Sequence, residues 1–255
     1  SNGKLKTIER LKESDVFIIC VPTPFLKNSK DKLPKPDISY ILNAGENIAG
    51  VIKSGDLVIL ESTSPVGTSE KLFDLISKKS GLAKEDFNLA YCPERVIPGK
   101  IITELINNDR VVGGVNKKST LHAYDFYKSF CKGEIYQTVS KTAELIKLSE
   151  NAYRDVNIAF ANELSILSDS YGIDSNELIY LANKHPRVNI LTPGCGVGGH
   201  CIAVDPWFIV SDRPEISPLI HESRKVNLNK TIWTINKIIN EVEHFRKNLK
   251  REPKV

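Results

Sequence analysis

The chain has 255 residues, 41% hydrophobic and 26% charged, with a formal net charge of +4. That is enough for one large or two modest domains with real cores, and too weakly basic to imply a nucleic-acid partner. No run approaches the roughly 18 consecutive apolar residues of a membrane span, and no secretory signal opens the sequence. The expectation is therefore a cytosolic protein with neither nucleic acid nor membrane as a partner. The five cysteines contain no CxxC, so no metal site or disulfide framework is expected, and Cys20, Cys92, Cys131 and Cys195 read as small buried hydrophobes. Methionine is absent, which with the opening SNGKLKTIERL suggests a piece of a longer polypeptide.

Val16 to Val21 is a continuous apolar run closed by Pro22-Thr23-Pro24, which predicts a buried parallel strand with a ligand lying off its end. Asp37 is placed to cap a helix reaching about Lys53, with Ile41, Ala44, Ile48 and Ile52 on one stripe. Ser54-Gly55-Asp56 turns the chain into a second strand, Leu57 to Leu60, and the hydroxyl-rich segment Glu61 to Thr68 leads into another helix. Phe87 to Tyr91, Arg110 to Gly114 and Ile135 to Thr138 read as further strands, with a helix between Lys118 and Cys131. Strands alternating with helices indicate an α/β fold with a doubly wound parallel sheet, whose ligands sit at the carboxyl ends of the strands.

From Ser140 the pattern becomes helical. Ile146, Ser149, Tyr153, Val156, Phe160, Leu164 and Leu167 keep helical spacing until Gly172. Asp174 and Glu177 form a capping-box-like start for a helix to about Lys184, and Ser217-Pro218 starts a third, long and amphipathic one. The expected organisation is a sheet domain over 1–139 and an all-helical domain over 140–255. The first long helix carries apolar residues on more than one side, so it could pair with its twin in a homodimer. The Lys/Arg-rich end, Arg246 to Lys254, reads as a solvated helix end.

The segment Thr192 to Trp207, TPGCGVGGHCIAVDPW, crowds glycines around Cys201. Gly194, Gly196 and Gly199 match GxGxxG, but Pro193 interrupts the preceding apolar run and no second strand ending in an acid follows, so a nucleotide fingerprint is the poorer reading. A nucleophile loop is the better one. On the first long helix, Lys147, Asn151 and Arg154 stand at i, i+4 and i+7 and project from one face, which by itself is as well explained by a solvated side.

GVGGHCIAVDPWF closely resembles the catalytic-cysteine segment of the UDP-glucose/GDP-mannose dehydrogenase family, in the wording of the branch acting on UDP-N-acetyl-mannosamine. Ala203-Val204-Asp205 stands where the family usually has Pro-Lys-Asp, which argues against a UDP-glucose enzyme. AELIKLSENAYRDVNIAFANELS, Ala143 to Ser165, is similar to the family's central helix. The resemblance implies a chain that begins after the first half of an NAD-binding Rossmann-like domain and runs through the central dimerisation domain. It implies that Lys147 and Asn151 hold a reacting oxygen and Arg154 holds substrate. It places Thr23 against NAD, Thr63 against NAD or the catalytic water, Glu94 near the reaction centre, and Arg95 and Val96 against substrate. Arg187 corresponds to an arginine that reaches the neighbouring subunit's substrate; His185, which by itself reads as a capping or core histidine, and Gly198 are expected among the substrate contacts. A second glutamate known in UDP-glucose enzymes is absent, since Pro98-Gly99 occupies its place.

The activity so implied is NAD-dependent oxidation of the C6 alcohol of UDP-N-acetyl-mannosamine to a carboxylate through a Cys201 thiohemiacetal and thioester, with Asp205 orienting water. The alternatives are a related nucleotide sugar, a purely structural dimerisation module, and a cysteine hydrolase pairing His200 with Cys201.

Overall fold

The computed structural model describes residues 6–27, 33–199, 201–251 and 253, and the chain divides into two compact units after Leu148. Residues 3–5, 200 and 254, on which parts of the sequence reading fall, lie outside the described residues.

The first unit holds a five-stranded sheet of β1 (Val16–Ile19), β2 (Leu57–Leu60), β3 (Asn88–Tyr91), β4 (Arg110–Gly114) and β5 (Ile135–Val139), lying side by side in that order. The helices are α1 (Ser39–Ala49), α2 (Thr68–Ser80), α3 (Ile101–Asn107) and α4 (Lys117–Lys128). β1, β2 and β3 are parallel, with Val16 opposite Leu57 and Leu57 opposite Asn88. β4 then runs antiparallel to β3, and β5 parallel to β4, so the sheet is mixed rather than parallel throughout. The reason is visible in α3, which buries none of its residues and so covers no face of the sheet. Without a crossover helix, the chain re-enters the sheet from the end at which it left.

Side-chain alternation along β2 sends Val58 and Leu60 to one face and Leu57 and Ile59 to the other. The first pair joins Ile41, Ile48, Leu72, Ile76 and Ala143 in one core, and the second joins Val112, Ala123 and Tyr127 in another. This two-sided covering makes β2 wholly buried. β1, at the edge, is buried only on the side of Phe17 and Ile19, and Ile18 is 45% exposed. α1 ends four residues before Lys53, because the Lys53 N–H donates to Asp56 Oδ2 (2.7 Å) instead of to a helical carbonyl.

α5 (Ser140–Tyr171) runs from the first unit into the second. It closes at Gly172 (φ +67°), where Gly172 N–H donates to Asp169 O and Ile173 N–H to Ser168 O, the two bonds of a Schellman motif. α6 (Ser175–Ala182) starts with Asp174 accepting from Asn176 N–H (2.9 Å) and stops two residues short of Lys184. α7 (Asp205–Asp212) was not foreseen from the sequence, and α8 (Pro218–Leu249) begins at the predicted proline. Inside this unit α5 and α8 are joined by buried polar pairs: Asp155 with Arg224 (2.6 Å), Asn162 with Asn227 (2.8 Å) and Ser165 with Lys230 (2.6 Å). Among the described residues no helix is long and apolar enough to cross a membrane.

Candidate functional site

In the first unit, the candidate residues gather where β1, β2 and β3 end. Glu61 and Ser62 N–H both donate to Ile19 O (3.0 and 3.2 Å), and Val21 N–H donates to Ser62 Oγ (2.8 Å). These bonds fix the two strand-end loops that carry Thr23 and Thr63, both half-buried. Thr23 Oγ1 and the fully buried Ser64 Oγ are shielded from solvent with no hydrogen-bond partner among the described residues. Buried hydroxyls are normally satisfied, so hydroxyls left open at strand ends suit a polar ligand there.

Glu61 accepts from the Cys20 thiol (3.4 Å) and from the Tyr127 hydroxyl (2.5 Å). Partial burial, with Glu61 beside it, pushes the Cys20 thiol up to about 12 although the residue keeps some exposure, and full burial pushes Cys92 up to about 11 against the pull of Tyr127 and Arg110. Both therefore stay protonated near neutral pH and make poor nucleophiles. The expectation that four cysteines are buried holds for Cys92 and Cys131 only; Cys20 and Cys195 are exposed, because Cys20 follows an edge strand and Cys195 lies in a loop.

After β3, Glu94 turns its carboxylate onto its own loop, where Oε1 accepts from Arg95 N–H (2.6 Å) and Val96 N–H (2.7 Å). Its carbonyl oxygen accepts from Lys147 Nζ (2.7 Å). Lys147 is thus aimed at this loop and is not part of a solvated stripe. One turn earlier, Glu144 is fully buried and accepts from Gly67 N–H (2.6 Å), Ser69 N–H (2.7 Å) and Ser69 Oγ (2.7 Å). α2 has Gly67 at its N-cap and no side-chain cap of its own, so Glu144 satisfies its first donors from α5. Burial nevertheless holds the Glu144 carboxyl above its ordinary range, against those hydrogen bonds.

In the second unit, Asn151 Nδ2 donates to Asp205 Oδ2 (2.5 Å). Asp205 is 4% exposed and opens α7, and its own N–H donates to Cys201 O (2.9 Å), as does that of Val204 (3.1 Å). Cys201 is exposed on this turn, with Gly198 exposed before it and Gly199 at φ +84°. Gly196 is closely packed: a Cβ there would lie 2.5 Å from Thr231 Oγ1, so that hydroxyl would have to move. Arg154 is exposed, and the exposed His185 and Arg187 are joined by Arg187 N–H donating to His185 Nδ1 (3.3 Å).

The structure therefore pairs Lys147 with Glu94 in the first unit and Asn151 with Asp205 in the second. Sequence reasoning missed Glu61, Glu144 and the Asp155, Asn162, Arg224 and Asn227 group. Glu144 alone had a local signal, an acid one turn before a candidate lysine.

The description "UDP-glucose/GDP-mannose dehydrogenase family, NAD binding domain" matches residues 2–131, and the same family's central domain matches residues 141–229. A UDP-N-acetyl-D-mannosamine dehydrogenase of Yersinia pestis is 51% identical over 244 residues, 92% of this chain and 57% of the relative. An NDP-N-acetyl-D-galactosaminuronic acid dehydrogenase of Ralstonia nicotianae is 48% identical over 254 residues, 96% of this chain and 59% of the relative. Among solved structures, a UDP-D-ManNAc dehydrogenase from Pyrococcus horikoshii superposes with a TM-score of 0.88 at 46% identity, over 95% of this chain and 58% of that one. The chain thus spans between 57% and 59% of the length of these relatives.

Proposed function

The chain belongs to the UDP-glucose/GDP-mannose dehydrogenase family, and from that premise we propose that the protein oxidises the C6 alcohol of UDP-N-acetyl-D-mannosamine to the carboxylate, in two two-electron steps. The observation that carries this reading is the chain of bonds from Asn151 through Asp205 to the carbonyl oxygen of Cys201, which ties α5 to the backbone of the turn that bears this cysteine. Thr23 and Thr63 would hold NAD at the strand ends, and two NAD molecules bound in turn would each accept one hydride. Cys201 adds to the C6 aldehyde as a thiohemiacetal, and the thioester that follows is hydrolysed by water, which suits sulfur as both nucleophile and leaving group. Lys147 and Asn151 donate to the developing oxyanions, and Asp205 and Thr63 orient the water. Glu94, whose carboxylate is occupied by the Arg95 and Val96 N–H groups, shapes the loop that meets the substrate. Arg95, Val96, Arg154, His185, Arg187 and Gly198 contact the nucleotide sugar.

The galactosaminuronic acid relative, nearly as similar as the mannosamine one, makes a UDP-N-acetylgalactosamine-type sugar the second reading. Exposed Tyr153, Phe160 and Leu167, seven residues apart on α5, support a homodimer through that helix. Five free cysteines favour a cytoplasmic setting.

The test is NADH yield per sugar, measured on the protein with any flanking sequence its gene encodes. About two NADH per UDP-N-acetyl-D-mannosamine are expected, since thiol capture lets one site continue to the acid; one NADH with free aldehyde would refute the reading. Cys201→Ser should abolish acid formation and Cys195→Ser should leave it nearly unchanged. Equal loss in both would show that the nucleophile is misassigned. Sedimentation at tens of micromolar should show a dimer, and a monomer would exclude the α5 interface.

A further inference from the structure

We propose that Asp155, Asn227 and Asn162 form a hydrogen-bond relay whose task is to hold the Cys201 loop on α5, making Asn162 and Asn227 positioning residues; this rests on the reading of Cys201 as nucleophile. The loop needs such a hold, because among the described residues no helix or strand lies between Ala182 and Asp205. Its first part is clamped by Asn183, which donates to Ile190 O (2.9 Å) and accepts from Ile190 N–H (2.7 Å). Its glycine-rich part is reached by Asn162, whose Oδ1 accepts from Gly194 N–H (2.9 Å).

The direction of the relay follows from one charge. Asp155 is fully buried beside Arg224, and an ionised carboxylate can only accept. Asn227 must therefore turn its Nδ2 toward Asp155, where it donates to Oδ1 (2.8 Å) and to the carbonyl oxygen (3.0 Å). That leaves Asn227 Oδ1 facing Asn162, so Asn162 presents its own Nδ2 (2.8 Å). Asn162 Oδ1 is then the atom left for the loop. Each amide has a single productive orientation, set by an ion pair whose members stand far from Gly194 in the sequence, one on α5 and one on α8. Both asparagines are essentially inaccessible, at 0% and 1% exposed, so no water competes for these bonds. Gly196 seated against Thr231 adds a second, steric contact between the loop and α8.

Hydrogen exchange of the segment 188–204 reads this hold directly, without reference to catalysis. In Asn162→Ala, its amides should exchange about tenfold faster, the size expected when a buried hydrogen bond is lost, while peptides from α6 and α7 keep their protection. Asn227→Ala should raise the same rates, and should add little in the Asn162→Ala background, because it acts through Asn162. If either alanine variant does not fold, Asn162→Asp serves: it still accepts from Gly194 but cannot donate to Asn227. With nucleotide sugar, kcat should fall about tenfold to a hundredfold with KM nearly constant, the mark of a misplaced reacting group. Unchanged loop exchange in Asn162→Ala, or additive effects in the double variant, would overturn the relay. Faster exchange with unchanged kcat would leave the hold intact and overturn its link to Cys201.

Discussion

The two units are built on different interiors. In the first, both core clusters are apolar, and the wholly buried strand β2 contributes Leu57, Val58, Ile59 and Leu60 to two opposite faces. In the second, the α5 and α8 helices meet through Asp155, Asn162, Ser165, Arg224, Asn227 and Lys230, each less than a tenth exposed. Apolar contacts are non-directional and tolerate small shifts, whereas buried amides and charges accept one arrangement and penalise the rest. The candidate chemistry follows this division. The hydroxyls of Thr23 and Ser64, unpartnered among the described residues, lie at the ends of the sheet's strands, and the polar interior reaches the glycine loop through Asn162 and Gly194 N–H.

Substitutions can break that contrast, and the largest effect should come from the polar interior. Arg224→Leu strands the Asp155 carboxylate without its cation and should cost about 3–5 kcal/mol in urea unfolding. Replacing both partners by apolar residues should cost far less, and if the single and double variants lose equally the second unit is not charge-organised. In the first unit Leu72→Ala opens a cavity in a fully buried site and should cost about 3 kcal/mol, a packing loss that a polar rearrangement cannot relieve. At the surface of the second unit, Asp174→Ala removes the α6 cap and should cost about 1 kcal/mol.

The smallest effect at any single pH is a gradient. Burial raises the Glu144 carboxyl above its unfolded value, so in the window between those values the folded chain holds a proton that the unfolded chain releases. Stability should therefore decline as pH rises through that window, and Glu144→Gln should flatten the decline measured by denaturation at several pH values. Asp155 is raised for the same reason, with Arg224 opposing, so its gradient has the same sign. A Glu144→Gln profile parallel to the parent's would show that this carboxylate is not shifted by its burial.

What the sequence determined by itself was whatever depends on neighbours along the chain. Hydrophobic runs placed β2 and β4 to the residue, helical spacing placed α5 from Ser140 to Tyr171, and the Ser217-Pro218 start placed α8. The family motifs around Cys201 and Lys147 were legible for the same reason, since each is a continuous string. Only the tertiary structure decided the rest. The antiparallel turn of β4 depends on a helix, α3, that buries nothing, and no local pattern reports what a helix will fail to cover. Lys147 looked like one charge on a polar stripe until Glu94, 53 positions away, supplied its acceptor. Asp155 and Arg224 are 69 residues apart, and each alone reads as solvated. A charged side chain declares its burial only through the partner that compensates its desolvation, and that partner is chosen by the fold.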